Sequence, residues 1–304
     1  MKYHFLILFL LNSFTTLWGN TDVREWRMQD GSQLRAELVD YTPETGGVLL
    51  QIDDIEERIL SFGDFSPIDQ AWLVEWDEFS LQLETKLNTM GGRFEHIATS
   101  GKYPTDLYVY YPQGHQTTVT GLPAMILFHP GGKAARYCLR HMDAAETANM
   151  VLIACGSFRN TDDDFERESE MLKRFREVFP QILQTVTSID HSKIYMGGTS
   201  GGAWRAYHYS AWIKFPWAGI YANGGWLGGS KYYNLPYPSE MRVIMVNGDQ
   251  DHSNRSIAKV TEILEKAGNK VGLIAFEGGH QVPPTESQLK AFNWLLEVEA
   301  FIEE

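Results

Sequence analysis

Cysteine is scarce in this sequence: Cys138 and Cys155 are the only two, too few for a disulfide scaffold and without the spacing of metal ligands. Stability must therefore come from a packed core. Positive charge is short as well, with 26 Lys and Arg against 39 Asp and Glu and a formal net charge of -13. Such a surface repels phosphate backbones and anionic headgroups, which excludes nucleic acid as a partner. There is no His-x-x-x-His pair or Cys/His cluster to hold a metal, and no Gly-x-x-x-x-Gly-Lys-Ser loop to cradle a nucleotide phosphate. The expectation is chemistry without metal or cofactor. Internal repeats and low-complexity tracts are missing too. Long apolar runs are also lacking, because residues 5–11 fall far short of the roughly 20 residues a helix needs to span a bilayer.

That apolar run has the surroundings of a leader. Lys2 precedes it and a more polar stretch follows as far as Gly19, which is a signal-peptide layout. We expect residues 1–19 to be a signal peptide, and the mature chain to be secreted or periplasmic with no membrane attachment. The 304 residues are 43% hydrophobic and 21% charged, an ordinary globular composition. One domain of about 200 residues and a smaller companion fit that length. A helix over 138–149 and a strand over 150–155 would bring the two sulfurs near each other. A disulfide and two buried free thiols both fit that arrangement.

Residues 24–76 read as short strands joined by tight turns. Glu25-Trp26-Arg27-Met28 leads to a turn at Asp30-Gly31, residues 33–39 alternate in polarity, and Gly46-Gly47 precedes the apolar Val48-Leu49-Leu50. Ser66 then caps a helix that has Pro67 at its first position. The pattern predicts a small β-barrel closed by a short helix. Arg24-x-Trp26, Asp30-Gly31, Ala36-Glu37-Leu38-Val39-Asp40, Val48-Leu49-Leu50 and Ser66-Pro67-x-Asp69-Gln70 together resemble the SLA homology domain 1 family over residues 22–76. The resemblance implies an SH3-like barrel, acting either as a spacer or as a contact for a protein or cell-surface partner. Residues 77–94 form a charged amphipathic stretch ending in Met90-Gly91-Gly92, expected to be a linker helix with a glycine stop.

A second domain is expected over 95–304, where apolar strands alternate with helices. The strands fall at 106–111, 124–128, 151–154, 193–197, 217–222, 243–247 and 271–276, with a long helix within 165–186. Such alternation predicts an α/β fold, a parallel sheet with helices on both faces. One turn in it carries chemistry. A serine hydroxyl is a weak nucleophile, so acyl transfer needs it raised on a tight turn, with a base beside it and donors for the developing oxyanion. Gly198-x-Ser200-x-Gly202 follows one strand and precedes a helix-forming stretch, the context of a nucleophile elbow. Donors belong at the Gly201 N–H and in the loop after an earlier core strand, where His129-Pro130-Gly131-Gly132 stands. Pro130 has no N–H, leaving Gly131 and Gly132 as the loop's candidates. In the α/β-hydrolase fold that this elbow resembles, the acid and then the histidine follow in chain order. The 243–247 strand runs into Gly248-Asp249-Gln250-Asp251, and the 271–276 strand into Glu277-Gly278-Gly279-His280. His280 is the candidate base, and Asp251 and Asp249 both stand where the acid belongs. His129 is expected to orient its loop, His208 to pack, and His252 to flank the acid.

With these motifs in place, residues 95–304 resemble the α/β-hydrolase superfamily, and by layout its polyhydroxybutyrate depolymerase and feruloyl or acetyl xylan esterase groups. The family pattern Gly-x-x-Asp matches Gly248 and Asp251, so the resemblance implies a triad of Ser200, Asp251 and His280. It implies an exported serine hydrolase acting on small-molecule or polysaccharide-linked esters. In a structure, Ser200 Oγ is then expected within about 3.5 Å of a His280 ring nitrogen. Trp204, Trp226, Tyr232, Tyr233 and Tyr237 would line an acyl or sugar pocket or pack the core. A peptidase of the same fold and a non-catalytic cell-surface binding protein are the alternatives.

Overall fold

A computed structural model describes residues 24–52, 56–117, 121–160 and 165–298. The expected signal peptide lies outside the described residues. The chain divides into two compact units after Ala71. Among the described residues no helix is long and apolar enough to cross a membrane.

The first unit is an antiparallel meander of β1 (Arg24–Arg27), β2 (Gln33–Thr42), β3 (Gly47–Gln51) and β4 (Glu57–Ser61), in that order across the sheet. Alternation puts Trp26, Ala36, Leu38, Val48 and Leu50 inside, as a one-sided sheet requires. Trp26 donates from its indole to Ala36 O at 2.9 Å and meets Phe65 edge-on at 5.3 Å. An isolated antiparallel bridge joins Met28 to Phe65. Helix α1 (Pro67–Met90) starts as its cap residues predict. Ser66 Oγ accepts from the Asp69 N–H at 3.3 Å and donates to Asp69 Oδ2 at 2.9 Å, a reciprocal cap. Asp69 also accepts from the Arg27 N–H at 3.1 Å and pairs with the Arg24 guanidinium. The helix then runs unbroken to Met90, so the closing helix and the linker helix expected over 77–94 are one element. Gly91, at φ +75 with its N–H on Leu87 O, supplies the stop.

The second unit holds β5 (Arg93–Ala98), β6 (Asp106–Tyr111), β7 (Leu122–Phe128), β8 (Val151–Cys155), β9 (Ile189–Thr199), β10 (Gly219–Asn223), β11 (Arg242–Gly248) and β12 (Lys270–Phe276). Their order is β12-β11-β10-β9-β7-β8-β6-β5, parallel from β12 to β8 and antiparallel for β6 and β5. The sheet is thus mixed and mostly parallel. Its strands are apolar on both sides: Ile126 and Phe128 face one way, Met125 and Leu127 the other, and all are buried. Helices α4 (Phe165–Thr185), α5 (Gly201–Trp212) and α6 (Ile257–Lys266) share a core with the Ile126 face through Phe175, Ala206 and Val260. On the opposite face lie α2 (Ala134–Leu139), α3 (Met142–Ala148) and α7 (Thr285–Leu295), where Tyr221 meets Phe292 at 5.4 Å and His141 at 5.7 Å.

The helix expected over 138–149 is therefore two short helices, interrupted at Arg140 and His141. Cys138 and Cys155 are both buried free thiols, and burial pushes the pKa of each up.

Candidate active site

The candidate nucleophile turn sits at the carboxyl end of β9, where the strand reverses into α5 at Ser200. Ser200 makes that reversal at φ 55 and ψ -117, a backbone region that costs a side-chain-bearing residue of order 1–3 kcal/mol. Its N–H donates to Asn223 O at 2.8 Å, and its carbonyl accepts from the Trp204 N–H at 3.0 Å. The flanking glycines are sterically required. A Cβ on Gly198 or on Gly202 would lie 2.2 or 2.0 Å from Phe128 O, because α5 crosses close over β9 and β7.

Asp251 and His280 leave the carboxyl ends of β11 and β12 on the same sheet edge, and His280 Nδ1 lies 2.9 Å from Asp251 Oδ2. The other carboxylate oxygen accepts the Ser253 N–H at 2.8 Å. Burial alone would push the Asp251 carboxyl up, but the Ser253 bonds and His280 outweigh it and hold the group below the ordinary carboxylate range. An ionised carboxylate only accepts, so Nδ1 is the donor and His280 Nε2 is left as the basic nitrogen. Asp249 is used differently: it is exposed, and its Oδ1 accepts the Gly278 N–H at 3.0 Å.

Between this pair and the elbow runs Gly224-Gly225, which no sequence motif marked. A Cβ on Gly224 would lie 2.7 Å from Asp251 Oδ2 and 2.9 Å from His280 Nδ1, and one on Gly225 would lie 3.1 Å from Ser200 O. The structure thus gathers Ser200, Asp251 and His280 around one glycine pair. The expected direct link is not made: among the hydrogen bonds of the described residues, none joins Ser200 Oγ to the His280 ring. Such contacts are often long without substrate and close in the Michaelis complex.

The expected oxyanion residues divide. The Gly201 N–H opens α5, where the first N–H groups have no intrahelical acceptor. The Gly131 N–H donates to His129 Nδ1 at 3.1 Å, and the Gly132 N–H donates to His129 O, also at 3.1 Å. Both loop donors are engaged inside their own turn. His129 orients that turn, accepting from the Lys133 N–H as well at 3.3 Å. Burial, with Arg140 and Lys133 nearby, lowers its pKa.

His208 is a core residue that donates to Leu227 O at 3.1 Å, with its pKa lowered by burial to about 3. His252 stands beside the pair, its ring 4.5 Å from that of His280 and 5.9 Å from Trp226. Asp251, His252 and His280 each offer a potential ligand atom within 4.8 Å of the others, the one such group among the described residues. Two of those three already share the 2.9 Å carboxylate–imidazole hydrogen bond. Beneath the elbow lies a second feature invisible in sequence. Tyr137 OH shares a 2.8 Å hydrogen bond with Thr199 Oγ1, and the fully buried His141 donates from Nδ1 to Tyr137 O at 2.9 Å. Of the sequence-marked aromatics, Trp226 flanks the His252 side, whereas Trp204 and Tyr232 pack on His208.

No protein-family model matches the chain, and no curated protein does. Solved structures do. An esterase from Pyrobaculum calidifontis aligns with a TM-score of 0.56 at 14% identity, over 68% of this chain and 86% of that one. A ferulic acid esterase aligns at 0.54 and 12% over 68% and 98%. The S-formylglutathione hydrolase of Staphylococcus aureus aligns at 0.51 and 12% over 68% and 97%. At such identities the likeness is one of fold. These structural neighbours are esterases and a thioester hydrolase by name, and the α/β-hydrolase fold is the architecture that this chain shares with them.

Proposed function

We propose that the chain is a serine hydrolase that cleaves carboxylic esters, with Ser200 as nucleophile, His280 as base and Asp251 as the group that holds the base. The observation that carries this reading is the strained elbow at Ser200 beside a carboxylate–imidazole pair 2.9 Å apart. His280 Nε2 takes the Ser200 proton as Oγ bonds to the ester carbonyl carbon, and the carbonyl π pair moves onto oxygen. The Gly201 N–H donates to that oxyanion. Collapse restores the carbonyl and breaks the bond to the alkoxide, which leaves with the proton from His280. Water repeats the sequence on the acyl-enzyme and releases the acid. Asp251 fixes the tautomer and stabilises the imidazolium without taking the proton.

The same reading extends to an exported enzyme working on small or polysaccharide-linked esters, supported by the leader-like residues 1–19. It extends to an SH3-like barrel of the SLA homology kind that contacts a protein or cell surface, supported by the motif residues around Trp26 and Asp69. Labelling with a fluorophosphonate, followed by a panel of acyl esters and peptide amides, tests the chemistry. Wild type should be labelled and should turn over esters, and Ser200→Ala should do neither. Cleavage of amides alone would select the peptidase, and wild-type turnover by Ser200→Ala would end the proposal.

A further inference from the structure

The loop after β8 lays a side chain over the elbow. A Cβ on Gly201 would lie 1.9 Å from Asn160 Oδ1 and 2.7 Å from Asn160 Nδ2, so the terminal amide of Asn160 rests against the first residue of α5. Arg205, one helical turn further on and 1% exposed, holds it there. Its Nη1 donates to Asn160 Oδ1 at 3.1 Å and to Gly201 O at 3.3 Å, and its Nη2 donates to Arg159 O at 3.0 Å. A guanidinium has donors and no acceptor. The Asn160 atom facing it must therefore be the carbonyl oxygen, which turns the two amide N–H groups away from Arg205. The Asn160 backbone N–H donates to Pro130 O at 2.6 Å, fastening this loop to the His129 turn. That turn's own candidates, the Gly131 and Gly132 N–H groups, are bonded to His129.

We infer that the Asn160 side-chain amide is the second oxyanion donor beside the Gly201 N–H, and that Arg205 is its positioning residue. The inference rests on the serine-hydrolase reading. When the carbonyl π pair moves onto oxygen, Asn160 Nδ2–H and Gly201 N–H donate to it without transferring a proton, and both bonds relax when the carbonyl re-forms. The buried Arg205 charge draws electron density through the Asn160 carbonyl and strengthens the N–H groups as donors. A donor fixed by a buried guanidinium needs no reorganisation as charge develops, which is what makes such a group effective.

The test uses the full chain with p-nitrophenyl acetate. Asn160 is exposed, but Asn160→Ala takes one acceptor from the buried Arg205 guanidinium, so the thermal midpoint should fall modestly while kcat of the folded protein drops by about 10²–10³-fold with KM within about twofold. Asn160→Asp keeps the acceptor for Arg205 and replaces the donor by an oxygen, and should be at least as slow. Arg205→Lys should slow the enzyme but add little to Asn160→Ala, because its effect on the donor runs through the Asn160 carbonyl. Wild-type kcat in Asn160→Asp, or a loss confined to KM, overturns the inference. A wild-type protein that is neither labelled by a phosphonate nor active on any ester overturns the serine-hydrolase reading, and the inference with it.

Discussion

Asp249 and Asp251 stand two positions apart at the end of one strand, and only Asp251 meets the histidine. Both lie in the turn after β11, which the Asp251 N–H closes on Gly248 O at 3.0 Å, and that turn leaves Asp249 on the Gly278 N–H while Asp251 sits under Gly224. Asp251→Asn should fold and lose on the order of 10³–10⁴ in kcat, because an amide can stabilise the wrong imidazole tautomer. Asp249→Asn should lose far less, and a steady-state comparison on one ester separates them. Two buried histidines set a second residue-scale expectation. Burial lowers His141 to about 4 and His208 to about 3 from an ordinary value of 6.5. Their folded pKa values lie below the unfolded ones, so the unfolded chain binds more protons between about pH 4 and 6.5. Stability is therefore present above that window and lost as pH falls through it, by roughly 3 kcal/mol for His141 alone. Urea midpoints at pH 7 and pH 4.5 measure the loss, and His141→Gln should flatten the difference. Asp251, held low, acts in the same direction at still lower pH.

Elements explain which parts were legible. Glycines at 198 and 202 could be read as a close strand–helix crossing because the steric demand is local to one turn, and the Cβ positions against Phe128 O bear that out. Gly202→Ala should consequently displace α5 and cost about 1–3 kcal/mol as overpacking, seen as a lower thermal midpoint together with lost ester turnover. The central strands were legible because continuous apolar runs between helices have one comfortable arrangement. Strand β5 was not: Arg93-Phe94-Glu95-His96-Ile97-Ala98 is a half-polar alternation on a sheet edge, and it abuts a helix whose pattern absorbed its first residues. β4, exposed along most of its length, was missed for the same reason. The Asn160 clamp and the Tyr137–His141 bracket were hidden because each joins residues from different elements, and no spacing in the chain encodes that meeting.

For the whole molecule, the second compact unit begins at Trp72, inside α1. Its share of α1 buries Phe79 and Leu83. It also carries the Lys86–Asp143 pair at 2.5 Å and accepts from Arg136 through Glu75 O at 2.6 Å. A chain starting at Trp72 should fold and hydrolyse a small ester. One starting at residue 93 forfeits roughly 3–6 kcal/mol of apolar burial from those two side chains, a difference that calorimetry on the two truncations would register. The two free thiols extend this to dynamics. Cys138 lies on α2, on one side of the sheet, and Cys155 belongs to the core shared with α4 and α5, on the other. Each is sealed from solvent, so an alkylating reagent can reach it only when its own layer opens. Paired labelling rates, read by mass spectrometry, would then act as two clocks set in opposite walls. Equal rates would mean that the sheet sheds both helical layers in a single event, and unequal rates would identify the layer that comes away first.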